Sequence, residues 1–143
     1  MLGLATFFSS ILLGSMLFFA GIVAPSIFKS LDDDEALKFT RYVFPKYYLW
    51  GIALSALATA LALAARSYTC ILLSIIFLGF VYGRQILMPK MTSAKDQWLA
   101  SDTAQDKSRY KSLHKRSVII NATQMVLLLI IVVATQILSL RQP

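Results

Sequence analysis

Tyr110, His114, Ser117, Asn121 and Gln124 lead into the last apolar stretch of this chain at spacings of four, three, four and three. At 3.6 residues per turn these steps keep returning to one side of a helix, and Thr135 continues the line further along. A phenol, an imidazole, a hydroxyl and two carboxamides on one stripe can donate and accept hydrogen bonds and so hold a polar or anionic group. Arg84 is the one charge inside another apolar stretch, about one turn before Pro89. A guanidinium at such a position pairs with a carboxylate or phosphate. A ligand-binding set of Arg84, Tyr110, His114, Ser117, Asn121 and Gln124 follows as an expectation. The competing reading is plainer: the carboxamides and hydroxyls bond neighbouring helices, Arg84 snorkels to headgroups, and His114 donates to a backbone carbonyl.

The elements that must position these residues are four apolar runs, 2–28, 44–65, 68–88 and 117–140. About 20 apolar residues at a 1.5 Å rise cross the hydrocarbon of a bilayer, so each run is long enough to span it. The chain of 143 residues is 57% hydrophobic and only 15% charged. A soluble domain carries about 25% charged residues, so the expected fold is a single all-α membrane domain, 1–143. The expectation is an up-down-up-down bundle of four helices. The first run lacks a basic leader, and Pro25 follows Ala24 where cleavage of a signal peptide would fall, so it reads as a retained span.

Charge placement orients the bundle. Of the fourteen lysines and arginines, eleven fall within 29–46 and 89–116, while only Arg66 and Arg141 lie on the opposite side and Arg84 stands apart. Basic loops stay on the cytoplasmic side. The loops 29–46 and 89–116 are therefore expected in the cytoplasm and both termini outside, in a bacterial inner membrane or plasma membrane. The net charge of +7 reads as this topology signal plus attraction to anionic headgroups, with no groove-reading motif for nucleic acid. The partners expected are the bilayer, other membrane proteins and further copies of the chain.

Local signals refine the picture. Gly3, Ser10, Gly14 and Gly21 recur on one side of the first span, and Gly51, Ser55, Thr59 and Ala56, Ala60, Ala64 form two small-residue rows on the second, all suggesting close helix packing. Asp32 and Glu35 have capping-box spacing, which predicts a short surface helix before Pro45 opens the second span. Tyr47, Tyr48 and Trp50 then read as an aromatic belt at headgroup depth. Asp102 and Gln105 suggest another helix start, within a helical hairpin that carries the third and fourth helices beyond the bilayer.

Enzymatic chemistry finds little support in the residue set. No nucleophile–base pair, phosphate loop or paired intramembrane carboxylates occur, which excludes the usual hydrolase and transferase patterns. Apolar cores without Asp or Glu also argue against proton-coupled transport. His114 is the only histidine, so a single chain cannot supply bis-histidine haem ligation. His114 with Met16, Met88, Met91 or Met125 would be the donors for haem or copper(I), an alternative in which the protein is a redox carrier. Cys70 is the single cysteine.

The run Tyr110-x-x-Leu113-His114-x-x-Ser117-x-x-x-Asn121 resembles a signature of the transmembrane protein 205-like family, also called domain of unknown function 4149. Ala24-Pro25-x-x-Phe28, Phe44-Pro45-x-Tyr47 and Arg84-x-x-x-x-Pro89 agree with it in order. The resemblance implies a small four-helix membrane protein without an assigned activity. It also implies a distant similarity to copper-resistance D proteins and to HemJ-type protoporphyrinogen oxidases, whose additional histidines this chain lacks.

Overall fold

A computed structural model describes residues 1–140 of the chain; Arg141, part of the charge argument above, lies outside the described residues. Four long helices account for nearly all of it: α1 (Leu2–Ser30), α2 (Asp33–Ala64), α3 (Thr69–Ser101) and α4 (Ala104–Leu140). Each contains a stretch long and apolar enough to cross a membrane. All four are longer than the apolar runs within them, because the polar ends continue the helices instead of breaking into loops.

Prolines shape these helices without ending them. In α1 and α3 a single π turn, Phe19–Val23 and Gly83–Leu87, sits two residues before Pro25 and Pro89. The Ala24 N–H bonds the Phe19 carbonyl and the Met88 N–H bonds the Gly83 carbonyl, each five residues back. A proline lacks an N–H and crowds the carbonyl four residues before it, and a widened turn relieves that crowding. Pro45 lies inside α2, which runs unbroken from Asp33. The expected separate surface helix is therefore the first part of α2, and Pro45 does not start a helix. Asp33, Asp34 and Glu35 occupy the first turn of α2, where negative charge complements the helix dipole.

One apolar core is shared by all four helices. Leu12 and Met16 of α1, Leu54, Ala58 and Ala62 of α2, Leu73, Ile76 and Phe80 of α3, and Leu128 and Ile131 of α4 are buried in it. The row Gly51–Ser55 faces this core, as expected, but Ala56, Ala60 and Ala64 face outward. On α1 the expected packing side is also reversed. Gly3, Ser10, Gly14 and Gly21 are exposed, and a side chain built on any of the three glycines would meet nothing within 4 Å. The inward side of α1 is Ala5, Ser9, Leu12 and Met16. Hydroxyls along the spans are mostly satisfied within their own helix: Ser9, Ser15, Thr59 and Ser74 each donate to the carbonyl four residues earlier, so they need no second helix.

Two tight turns connect α2 to α3 and α3 to α4. Arg66 takes a left-handed conformation at φ 52°, and the Ser67 and Arg66 N–H groups bond the Ala62 and Leu63 carbonyls at 3.0 and 2.9 Å. This closure normally uses glycine. Arg66→Gly should therefore raise stability by about 1 kcal/mol, the steric cost of a left-handed residue bearing a Cβ. Equilibrium unfolding of the detergent-solubilised protein would detect it, and a lower stability would contradict the turn geometry. At the second turn Asp102 is also left-handed, at φ 47°, and it ends α3 instead of starting α4. The cap shifts by one residue to Thr103, whose Oγ1 accepts the Asp106 N–H at 3.2 Å while its hydroxyl donates to the Asp106 carboxylate at 2.8 Å.

Candidate functional site

Within the spans, the polar stripe of α4 faces the other helices. The Tyr47 hydroxyl donates to Asn121 Oδ1 at 3.1 Å, and the Tyr48 hydroxyl and Ser117 Oγ are 3.3 Å apart. Gln124, buried, donates from Nε2 to the Ile76 carbonyl of α3 at 2.9 Å. Thr135 accepts from the Thr6 hydroxyl of α1 at 3.1 Å and donates to the Ile131 carbonyl. The stripe thus bonds α4 in turn to α2, α3 and α1. Burial of an unpaired polar group in hydrocarbon costs several kcal/mol, and these pairings remove that cost.

Tyr47 and Tyr48 therefore do not form the belt expected of them. Both are half-buried, and their rings pack around Phe80 at centroid distances of 6.2 and 6.3 Å. Phe19 of α1 stacks on Tyr47 at 4.5 Å. Trp50 alone keeps the outward position, half exposed, with its indole N–H donating to Ser15 at 3.2 Å. Three glycines admit the side chains that hold this cluster. A Cβ on Gly83 would lie 2.5 Å from the Tyr48 ring, one on Gly79 2.7 Å from Gln124 Nε2, and one on Gly51 inside the Phe80 ring envelope.

Tyr110 and His114 lie elsewhere, on the polar first part of α4. Tyr110 stacks between Trp98 of α3 at 5.8 Å and His114 at 6.1 Å, and His114 is exposed. The Lys95 ammonium sits 4.0 Å above the Trp98 ring, and Arg109 donates to Gln97 at 3.0 Å. These contacts pair the ends of α3 and α4 as the expected helical hairpin. Among the described residues no three of His, Cys, Asp and Glu come together, and Met16 is wholly buried in the core.

Arg84 stands in a cleft of its own. It lies within the π turn of α3, half-buried, and its Nε is shielded from solvent with no hydrogen-bond partner among the described residues. The cleft, about 540 Å³, is lined by Pro45 of α2 and by Arg84, Met88, Thr92, Ser93 and Asp96 of α3, among others. Of the six residues proposed as a site from sequence, only Arg84 lines it. Asp96 is held on its far side by an ion pair with Arg41 of α2. Thr92, Asp96 and Arg41 escaped the sequence reading because they lie outside the four apolar runs, among polar residues read only as topology signals. The signal was present: 84, 88, 92 and 96 recur at four-residue steps, one face of a helix that continues through the proline.

A family model described as Domain of unknown function (DUF4149) matches residues 7–98. No curated protein and no solved structure matches the chain. The matched residues cover most of α1, all of α2 and nearly all of α3, so they include the Arg84 cleft from Pro45 to Asp96, whereas the polar stripe of α4 lies beyond them. With well over half of its length matched, the chain belongs to the family described as Domain of unknown function (DUF4149).

Proposed function

We propose that this is a multi-pass, non-enzymatic membrane protein that binds the anionic group of a small molecule or lipid in the Arg84 cleft, either alone or as an accessory subunit of a larger membrane complex. The observation that carries this reading is the shielded, unpartnered Nε of Arg84 on the wall of an open cleft. A buried donor left without a partner costs about 1–3 kcal/mol, and a carboxylate or phosphate in the cleft would offset it by a charge-assisted bond to the rest of the guanidinium. The α4 stripe supports the cleft indirectly: its bond to Tyr48 holds that ring against Gly83, beside Arg84, and its bond to Tyr47 holds the neighbouring tyrosine. The test uses purified protein in neutral maltoside detergent with dodecyl phosphate as probe. Wild type should be thermally stabilised by the phosphate amphiphile over dodecyl maltoside alone, and Arg84→Gln should lose the shift. An equal shift in both proteins would refute the site.

In the same reading the helices run up-down-up-down, with the basic ends of the spans, the cleft among them, on the cytoplasmic side of a bacterial inner membrane or plasma membrane. Eleven of the fourteen basic residues lie at those ends, in 29–46 and 89–116. On a Cys70→Ser background, Ser108→Cys should resist a membrane-impermeant maleimide in intact cells, and Ser139→Cys should react. The reverse pattern would invert the orientation. The resemblance to transmembrane protein 205-like, copper-resistance D and HemJ-type proteins rests on short motifs alone and adds no ligand to this reading.

A further inference from the structure

Resting on the anion-binding reading of the Arg84 cleft, we infer that its ligand is an ethanolamine phosphodiester, the headgroup of an aminophospholipid, with the phosphate at Arg84 and the ammonium toward Thr92 and Asp96. The cleft is polarised along its length. Arg84, Met88, Thr92 and Asp96 follow at four-residue steps, so its lining runs along about 18 Å of α3. Donors occupy one part: the Arg84 guanidinium, with an Nε that has no acceptor. Acceptors mark the other, while the Gln85 carboxamide and Ser93 hydroxyl of the same lining can each donate or accept. The Thr92 hydroxyl donates its proton to the Met88 carbonyl at 3.1 Å, so toward the cleft its oxygen can only accept. Asp96 bonds Arg41 through Oδ1, which leaves Oδ2 as a second acceptor.

Charge agrees with this division. Arg41 and Asp96 neutralise each other, so the cleft keeps one uncompensated positive charge, on Arg84. A phosphodiester carries one negative charge and matches it. The primary ammonium carries N–H donors for Thr92 and Asp96, whereas a choline headgroup has the same charge and no N–H at all. A glycerol headgroup has hydroxyls and no cation. A glycerol hydroxyl can also donate to the Asp96 carboxylate, but only the ammonium brings a positive charge to that bond, so ethanolamine is the headgroup this wall distinguishes. The position suits a lipid as source: Leu49, one turn along α2 from Pro45 of the cleft wall, is large and exposed, and an acyl chain can lie along it.

Native mass spectrometry of the full chain, released from neutral detergent with equal amounts of phosphatidylethanolamine, phosphatidylcholine and phosphatidylglycerol, tests the inference. Wild type should retain phosphatidylethanolamine about tenfold over either competitor, the effect of one charge-assisted hydrogen bond. Asp96→Asn should bring that ratio close to one. Arg41→Gln breaks the same ion pair but keeps the carboxylate, and it should preserve the preference. Equal loss in Asp96→Asn and Arg41→Gln would overturn the inference, since both then act only through the ion pair. If Arg84→Gln abolishes retention of all three lipids but wild type shows no headgroup preference, the ethanolamine assignment fails and the anion site stands. Retention indifferent to Arg84 removes both. Soluble glycerophosphoethanolamine, added as competitor, separates the sources: displacement of the lipid at equal concentration identifies a free phosphodiester, and its failure identifies the lipid.

Discussion

Gly51→Ala should destabilise the protein by about 3 kcal/mol, the upper part of the range for overpacking a tight core. Its new Cβ would lie no more than 2.6 Å from three atoms of the Phe80 ring. Phe80 is fully buried, with Tyr47 and Tyr48 packed against it, and both tyrosines are anchored by hydroxyl bonds to α4. The ring has nowhere to go. The expected readout is a large drop in the unfolding midpoint in mixed micelles, with loss of α2–α3 packing. Phe80→Leu alone leaves a void. Combined with Gly51→Ala it should recover more than half of the loss, because the two changes act on one contact. A Gly51→Ala protein as stable as wild type would mean that α2 and α3 do not approach here. Gly83→Ala should cost less, since the Tyr48 ring that it meets is only half-buried and can swing.

The second large effect has the opposite sign. In delipidated protein Arg84→Met should raise stability by about 1–3 kcal/mol while abolishing binding of anionic amphiphiles. Methionine keeps the apolar stem as far as the Nε position, and it removes a shielded donor that has no partner. A residue retained at a cost to the empty protein is expected where binding is the purpose. If Arg84 serves only to hold α3 at the interface by snorkelling, the substitution lowers stability and leaves binding untouched. Thermal unfolding with and without dodecyl phosphate distinguishes these outcomes. In the ligand-binding case the anion should narrow the gap, stabilising wild type and not Arg84→Met.

How much of this was legible in the residues alone depends on which physical quantity each feature expresses. The four spans were legible because apolar length is a property of a segment against its solvent. The inward face of α4 from Ser117 to Thr135 was legible for the same reason: hydroxyls and carboxamides cannot face hydrocarbon unpaired, so a polar stripe identifies its own side. The pairing of the ends of α3 and α4 was visible in their amphipathic pattern, although the cap is Thr103 and not Asp102, because a left-handed residue moves the boundary.

Tertiary structure decided the rest. In lipid, an apolar face that packs and an apolar face that meets acyl chains have the same polarity, so only shape separates them. Glycine on α1 and glycine on α2 look alike in sequence. Gly51 receives a phenylalanine from across the interface, and Gly14 receives nothing. Tyr47 and Tyr48 carry the composition of a headgroup belt, yet acceptors on α4 turn them inward. Arg84 and Asp96 are twelve residues apart on either side of a proline, and Arg41 sits on another helix. That Arg84 and Asp96 border one cleft, with Arg41 paired to Asp96, follows from a π turn that carries α3 through Pro89 and from the packing of α2 beside it. Hydrophobicity and period determined which segments enter the membrane; the fit between helices determined which of their faces meet.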